Sequence, residues 1–175
     1  MSIDGQSETA DGTVENAGDG RSVISFSRRL HHPVESVWAA LTQGDQLINW
    51  WGQAVLDVEV GGEFTMRWLN TDKNGDSVTM QTVITQLEPE SLLETRGDPH
   101  GVLRWELRDE GGEVTGLAFS STLELPDEYR APTLAGWHYH LDALAGHLAG
   151  EPTDLVNLPN DRWNGLYELY GEKLA

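Results

Sequence analysis

Any chemistry in this chain has to come from its six histidines and a handful of charged side chains, because it contains no cysteine. His138 and His140 lie two apart on one predicted helix, about 200° around its axis, so their side chains diverge. His140 and His147 share a side of that helix, but seven residues span about 10 Å of axis. One metal with nitrogen ligands at about 2 Å does not bridge that gap. His31 and His32 are adjacent at a strand end and also diverge. No metal and no cofactor is therefore expected. For acid–base work a side chain must reach a substrate proton. Two residues fall in the inward phase: His138, flanking the apolar stripe of its helix, and Arg28, in phase with Phe26. The plainer reading of His138 is a helix-edge side chain whose polar tip is wet. No nucleophile elbow, phosphate loop or dinucleotide fingerprint is present. Gly61-Gly62 and Gly111-Gly112 are hairpin glycines.

The second chemical resource is aromatic. Trp38, Trp50, Trp51, Phe64, Met66, Trp68, Met80, Trp105, Phe119, Trp137 and Leu141 all fall on predicted inward faces. They form either an ordinary packed core, each burial stabilising by about 2–3 kcal/mol, or the lining of a ligand cavity that one helix leaves unfilled. Trp50 and Trp51 are adjacent, and neighbours on a chain diverge. One ring is expected inside and the other under a flanking segment.

The elements that would position these residues follow from periodicity. Residues 22–30 alternate as a strand, and Val34, Val37, Trp38 and Leu41 give the next segment a helical apolar face. Strands are predicted at 54–60, 63–69, 77–87, 91–96, 101–108 and 113–125, punctuated by glycine, asparagine and proline turns. A long helix carries Leu134, Trp137, Leu141, Leu144 and Leu148, and a short one carries Trp163, Leu166, Tyr167 and Tyr170. This order predicts an α+β fold, an antiparallel sheet of about six to seven strands covered by a long C-terminal helix. Pattern also sets register. A three-residue turn at 61–63 would pair Val60 with Phe64, Leu56 with Trp68 and Asp57 with Arg67. An odd turn at Gly111-Gly112 would align Leu103, Trp105 and Leu107 with Leu117 and Phe119.

Residues 1–20 lack periodicity and aromatics and predict a disordered acidic tail, followed by one domain over 21–175. The net charge of −18, with only Lys73 and Lys173 against nine arginines, disfavours nucleic acid and anionic membranes. It fits an acidic, well-solvated surface or one suited to high salt. No apolar run approaches the roughly 18 residues of a membrane span, and nothing points outside the cytoplasm.

Several motifs in order resemble START-like (SRPBCC, helix-grip) domains, and more narrowly the homologues of the heat shock protein 90 ATPase activator. They are Arg29-Leu30-His31-His32-Pro33 through Thr42, the Trp50-Trp51 pair, Gly61-Gly62-Glu63-Phe64, the strand ending Leu87-Glu88-Pro89, and Gly136-Trp137 with its repeated leucines. The resemblance implies a curved sheet gripping a long helix, with two short helices after the first strand and a cavity for lipid-, sterol- or polyketide-like molecules. Some such proteins catalyse cyclisation or dehydration, which would enlist His138 or Arg28. The chaperone-activating role goes with a separate N-terminal domain, for which the tail offers no counterpart. The expectation is a noncatalytic hydrophobic-ligand binder in the cytoplasm, with a cyclase-like enzyme, a protein-interaction module and a homodimer as alternatives.

Overall fold

The computed structural model describes residues 8–9 and 11–175. Nine strands among the described residues form one antiparallel sheet. They are β1 (Glu8–Thr9), β2 (Thr13–Gly18), β3 (Arg21–Leu30), β4 (Gly52–Leu56), β5 (Glu63–Trp68), β6 (Thr79–Glu88), β7 (Leu92–Asp98), β8 (Gly101–Asp109) and β9 (Thr115–Leu123). The spatial order is β1-β3-β9-β8-β7-β6-β5-β4, with β2 also pairing with β3. Two short helices, α1 (Val34–Thr42) and α2 (Gly44–Leu47), join β3 to β4. The long α3 (Arg130–Leu148) and then α4 (Asp161–Leu174) close the chain. This is the expected α+β helix-grip architecture, with two more strands than the periodicity predicted.

The additional strands lie in the segment expected to be a tail. Residues 13–18 pair with β3 in register Thr13↔Ser25 to Gly18↔Arg21. Asp19 and Gly20 both take positive φ, 55° and 73°, the Asp-Gly combination that a two-residue hairpin turn demands. Residues 8–9 and 13–18, expected to be disordered, are thus strands; over 1–7 and 10 that reading lies outside the described residues. Gly12 shows how close the segment lies to the core. A Cβ there would come 2.3 Å from the Phe26 ring, and its amide donates to the Tyr170 hydroxyl at 2.7 Å.

Alternation along the strands aims one face inward. Trp105 pairs with Phe119 and Leu107 with Leu117, as the odd turn at Gly111-Gly112 requires. In the other hairpin the parity holds but the register shifts. Leu56 faces Phe64, Ala54 faces Met66, and Gly52 faces Trp68. Arg67 therefore meets Gln53 rather than Asp57, and donates to its side chain at 3.1 Å. The ladder stops after Asp57, whose amide donates to the Glu63 carbonyl, so Val58 and Val60 lie in an exposed loop. Gly62 has no room for a Cβ, which would fall 2.0 Å from the Asp57 carbonyl oxygen.

Helix α3 lies in the grip of the sheet. Leu134, Trp137, Leu141 and Leu144 are buried, and so are Ala135, His138, Tyr139, His140 and Ala143. A helix enclosed almost all round is covered on both flanks. Here the sheet and α1–α2 cover one side and α4 the other. Asn160 caps α4 by accepting from the Trp163 amide at 2.9 Å.

Candidate functional site

The interior between α3 and the sheet is filled by rings. After α2 the chain turns tightly, with the amides of Trp50 and Trp51 both donating to the Leu47 carbonyl. That turn sends both indoles inward, at 0% and 1% exposure, with ring centroids 5.5 Å apart. The expected divergence of the pair is corrected: the tight turn overrides the alternation an extended chain would impose. Trp51 touches Phe64, Trp68, Trp105 and Trp137 at 5.4–5.9 Å between centroids. Phe119 packs in a tilted arrangement against Trp105 and Trp137, with centroids 4.3 Å and 4.6 Å away. Trp50, Trp51, Phe64, Met66, Met80, Trp105, Phe119 and Leu141 are thus core members packed on one another. Trp38 is half-buried on α1, packed against the same core.

An open groove of about 340 Å³ begins where this core ends. Trp68 and Trp137, alone of the predicted lining residues, reach it. They meet His100 from the β7–β8 turn, His140 and Gly136 from α3, and Trp163 from α4. Tyr129, 56% exposed, stands on its wall. No lysine or arginine lines it.

His140 is locked in place. The Trp68 indole Nε1–H donates to its Nε2 at 3.0 Å, so Nδ1 carries the proton and donates to the Trp50 carbonyl at 3.0 Å. Burial pushes the His140 pKa down to about 4, against the favourable pull of the Trp50 carbonyl. His100 is lowered to about 4 as well, by burial and then by the neighbouring His140. Both imidazoles are neutral at physiological pH. His100 lies 5.4 Å from Trp68 and 5.3 Å from Trp137 between ring centroids.

His138 and Arg28, the candidate catalytic pair, lie elsewhere. On the flank of α3 facing β3 and α4, Asp142 collects Arg28 Nη2 at 3.5 Å, His138 Nε2 at 3.4 Å, and Arg162. His138 Nδ1 sits 2.7 Å from the Tyr170 hydroxyl, whose own pKa burial pushes up to about 12. Burial favours the neutral form of Asp142. The hydrogen bond from His138 and the charges of His138, Arg28 and Arg162 outweigh it and hold its pKa low. Arg28, His138 and Tyr170 are 4%, 6% and 1% exposed, so the wet-tip reading of His138 is corrected. The cluster ties β3, α3, α4 and the Gly12 segment together, with these three side chains buried in it.

His138 and His140 thus point to opposite flanks of α3, as their spacing required. His100, His140 and Trp163 were missed as site residues. His140 follows Trp137 by three on a helix, a spacing that shares a face, and His100 sits in the glycine-flanked run Gly97-Asp98-Pro99-His100-Gly101. Nothing local in the sequence marks Trp163 as a neighbour of either.

A family model described as Activator of Hsp90 ATPase homolog 1-like protein matches residues 31–149. The chain belongs to this family. Solved structures similar to this activator-homologue chain include EF2215 from Enterococcus faecalis, described as a conserved protein of unknown function. It is 22% identical with a TM-score of 0.69 over 93% of this chain and 90% of that one. CalU16 from Micromonospora echinospora is 21% identical with a TM-score of 0.69 over 96% and 95%. DynU16, described as a protein in the dynemicin biosynthetic locus, is 22% identical with a TM-score of 0.61 over 74% of this chain and 48% of that one. At these identities the likeness is one of fold. No curated protein matches the chain. The fold of the family is one that suits ligand binding, and no helix among the described residues is long and apolar enough to cross a membrane.

Proposed function

We propose that this activator-homologue protein binds a small, neutral, hydrophobic molecule in the groove between the His100 turn, α3 and Trp163. The observation that carries the reading is an apolar, concave surface walled by three indoles and two neutral imidazoles. Its volume of about 340 Å³ falls within the small-ligand range. A flat, ring-containing, polyketide-like molecule fits better than an extended acyl chain. The interior that would take a chain is occupied by Trp50, Trp51 and Trp105. The net charge of −18 and the lack of a cation in the wall favour a neutral ligand over an anion. A larger depression of about 550 Å³ lies over β3, β8 and β9. It is charged, with Arg29 and Arg108 both on Glu110, and suits a hydrophobic molecule poorly. A cyclase-like reaction through His138 or Arg28 is disfavoured, since neither lines the groove.

Gly136 gives the test. A Cβ on it would meet nothing closer than Trp163 Nε1 at 3.9 Å, so a larger side chain there grows into the groove. Leucine is also the better helix former, so Gly136→Leu should fold at least as well as the natural protein. Titration with the neutral probe N-phenyl-1-naphthylamine is expected to give saturable fluorescence enhancement that Gly136→Leu weakens about tenfold or more. Undiminished binding by that variant would refute the groove as the site.

A further inference from the structure

Two imidazoles line the groove, and only one has nitrogens to offer. Both ring nitrogens of His140 are engaged, by Trp68 and by the Trp50 carbonyl. The His100 ring makes no hydrogen bond among the described residues, and neither of its nitrogens is sealed from the surroundings. Its ring leans on Trp68 and Trp137 at the groove wall. The backbone beneath it is held hard. Gly97 pairs with Gly101 across the turn, and a Cβ on either would come 2.0 Å from a carbonyl oxygen, of Gln81 and Thr122 respectively. The His100 carbonyl itself accepts from Ser121 Oγ at 2.8 Å. A polar group so placed in an apolar wall, on a fixed turn, has the form of a recognition element.

We propose that His100 selects the ligand by accepting a hydrogen bond from an aromatic hydroxyl, so that the groove prefers phenol-like molecules over their capped or unsubstituted counterparts. This rests on the groove being the binding site. Burial and His140 keep the His100 ring neutral, which leaves one nitrogen lone pair free to accept. A carboxylate would meet no cation in this wall and would enter against the net charge. A neutral hydroxyl brings its own donor and meets neither obstacle. Flat rings are favoured because the neighbouring surfaces are indole faces and edges.

The test compares 2-naphthol, 2-methoxynaphthalene and naphthalene, titrated at pH 7 into the natural protein and into His100→Phe. Phenylalanine keeps an aromatic ring on the turn and removes both nitrogens. The natural protein should prefer 2-naphthol over 2-methoxynaphthalene by about five- to tenfold, the worth of one net hydrogen bond. In His100→Phe the ratio of 2-naphthol to 2-methoxynaphthalene affinity should collapse to near one. A preference that survives the substitution, or none in the natural protein, would overturn the role of His100 and leave the groove standing. Failure of all three compounds to bind the natural protein would instead overturn the groove reading and this one with it.

Discussion

The Trp68 indole donates to Nε2 of His140 at 3.0 Å, and that bond fixes which nitrogen of the imidazole carries its proton. The proton sits on Nδ1 and bonds to the Trp50 carbonyl. One buried ring thereby joins the groove wall to the tryptophan turn behind it.

A pH dependence of stability follows. The unfolded chain takes up a proton on His140 near pH 6.5, whereas the folded protein resists until about pH 4. Between those values the unfolded state binds more protons, so stability falls as pH falls, by up to about 3 kcal/mol for this residue. His100 acts in the same direction. Asp142 and Glu94, held below 3.8 and 4.5, give up their contributions only at lower pH. Urea denaturation from pH 6.5 to 5 should show declining stability, with a shallower slope in His140→Phe. A flat profile, or one unchanged by the substitution, would contradict this assignment.

Much of the fold was legible in the sequence because period-two and helical patterns report which face is buried. Trp105 opposite Phe119, and the α3 stripe through Leu134, Trp137 and Leu141, are of this kind. Strand β2 was not, because it is almost wholly exposed and carries no apolar alternation, which leaves only the Asp19-Gly20 turn to mark the hairpin. The site was less legible still. His100 and Trp163 are brought beside Trp68 and Trp137 by long-range packing, which leaves no local trace, and the tight turn after α2 filled the interior where a cavity was expected.

The two tryptophans should differ in replaceability. Trp50 donates to the Ala40 carbonyl at 2.9 Å, whereas the Trp51 indole nitrogen is sealed without a partner among the described residues. Both phenylalanine variants lose similar packing, but only Trp50→Phe loses a hydrogen bond, and Trp51→Phe removes an unsatisfied donor. Trp50→Phe should therefore be the more destabilising by about 1–2 kcal/mol, measured by urea denaturation. The reverse order would refute this account of the pair.

Asp142 is predicted to serve stability and not binding. Asp142→Ala strips the shared carboxylate from buried Arg28 and His138 and should cost about 3 kcal/mol. Because that flank of α3 faces away from the groove, 2-naphthol affinity should stay within about twofold wherever the variant remains folded. Loss of binding by folded Asp142→Ala would reopen the catalytic reading of His138 and Arg28.

Packing of Trp50, Trp51 and Trp105 on one another leaves the proposed ligand outside the interior, against Trp68, Trp137 and Trp163. The chain has seven tryptophans, each giving one indole N–H resonance, so a titration with 2-naphthol followed by 15N-resolved NMR reads every one. Shifts are expected to concentrate at Trp68, Trp137 and Trp163, with Trp50, Trp51 and Trp105 scarcely moved. Large shifts at Trp51 and Trp105 with a still groove would place the ligand in the core and contradict it.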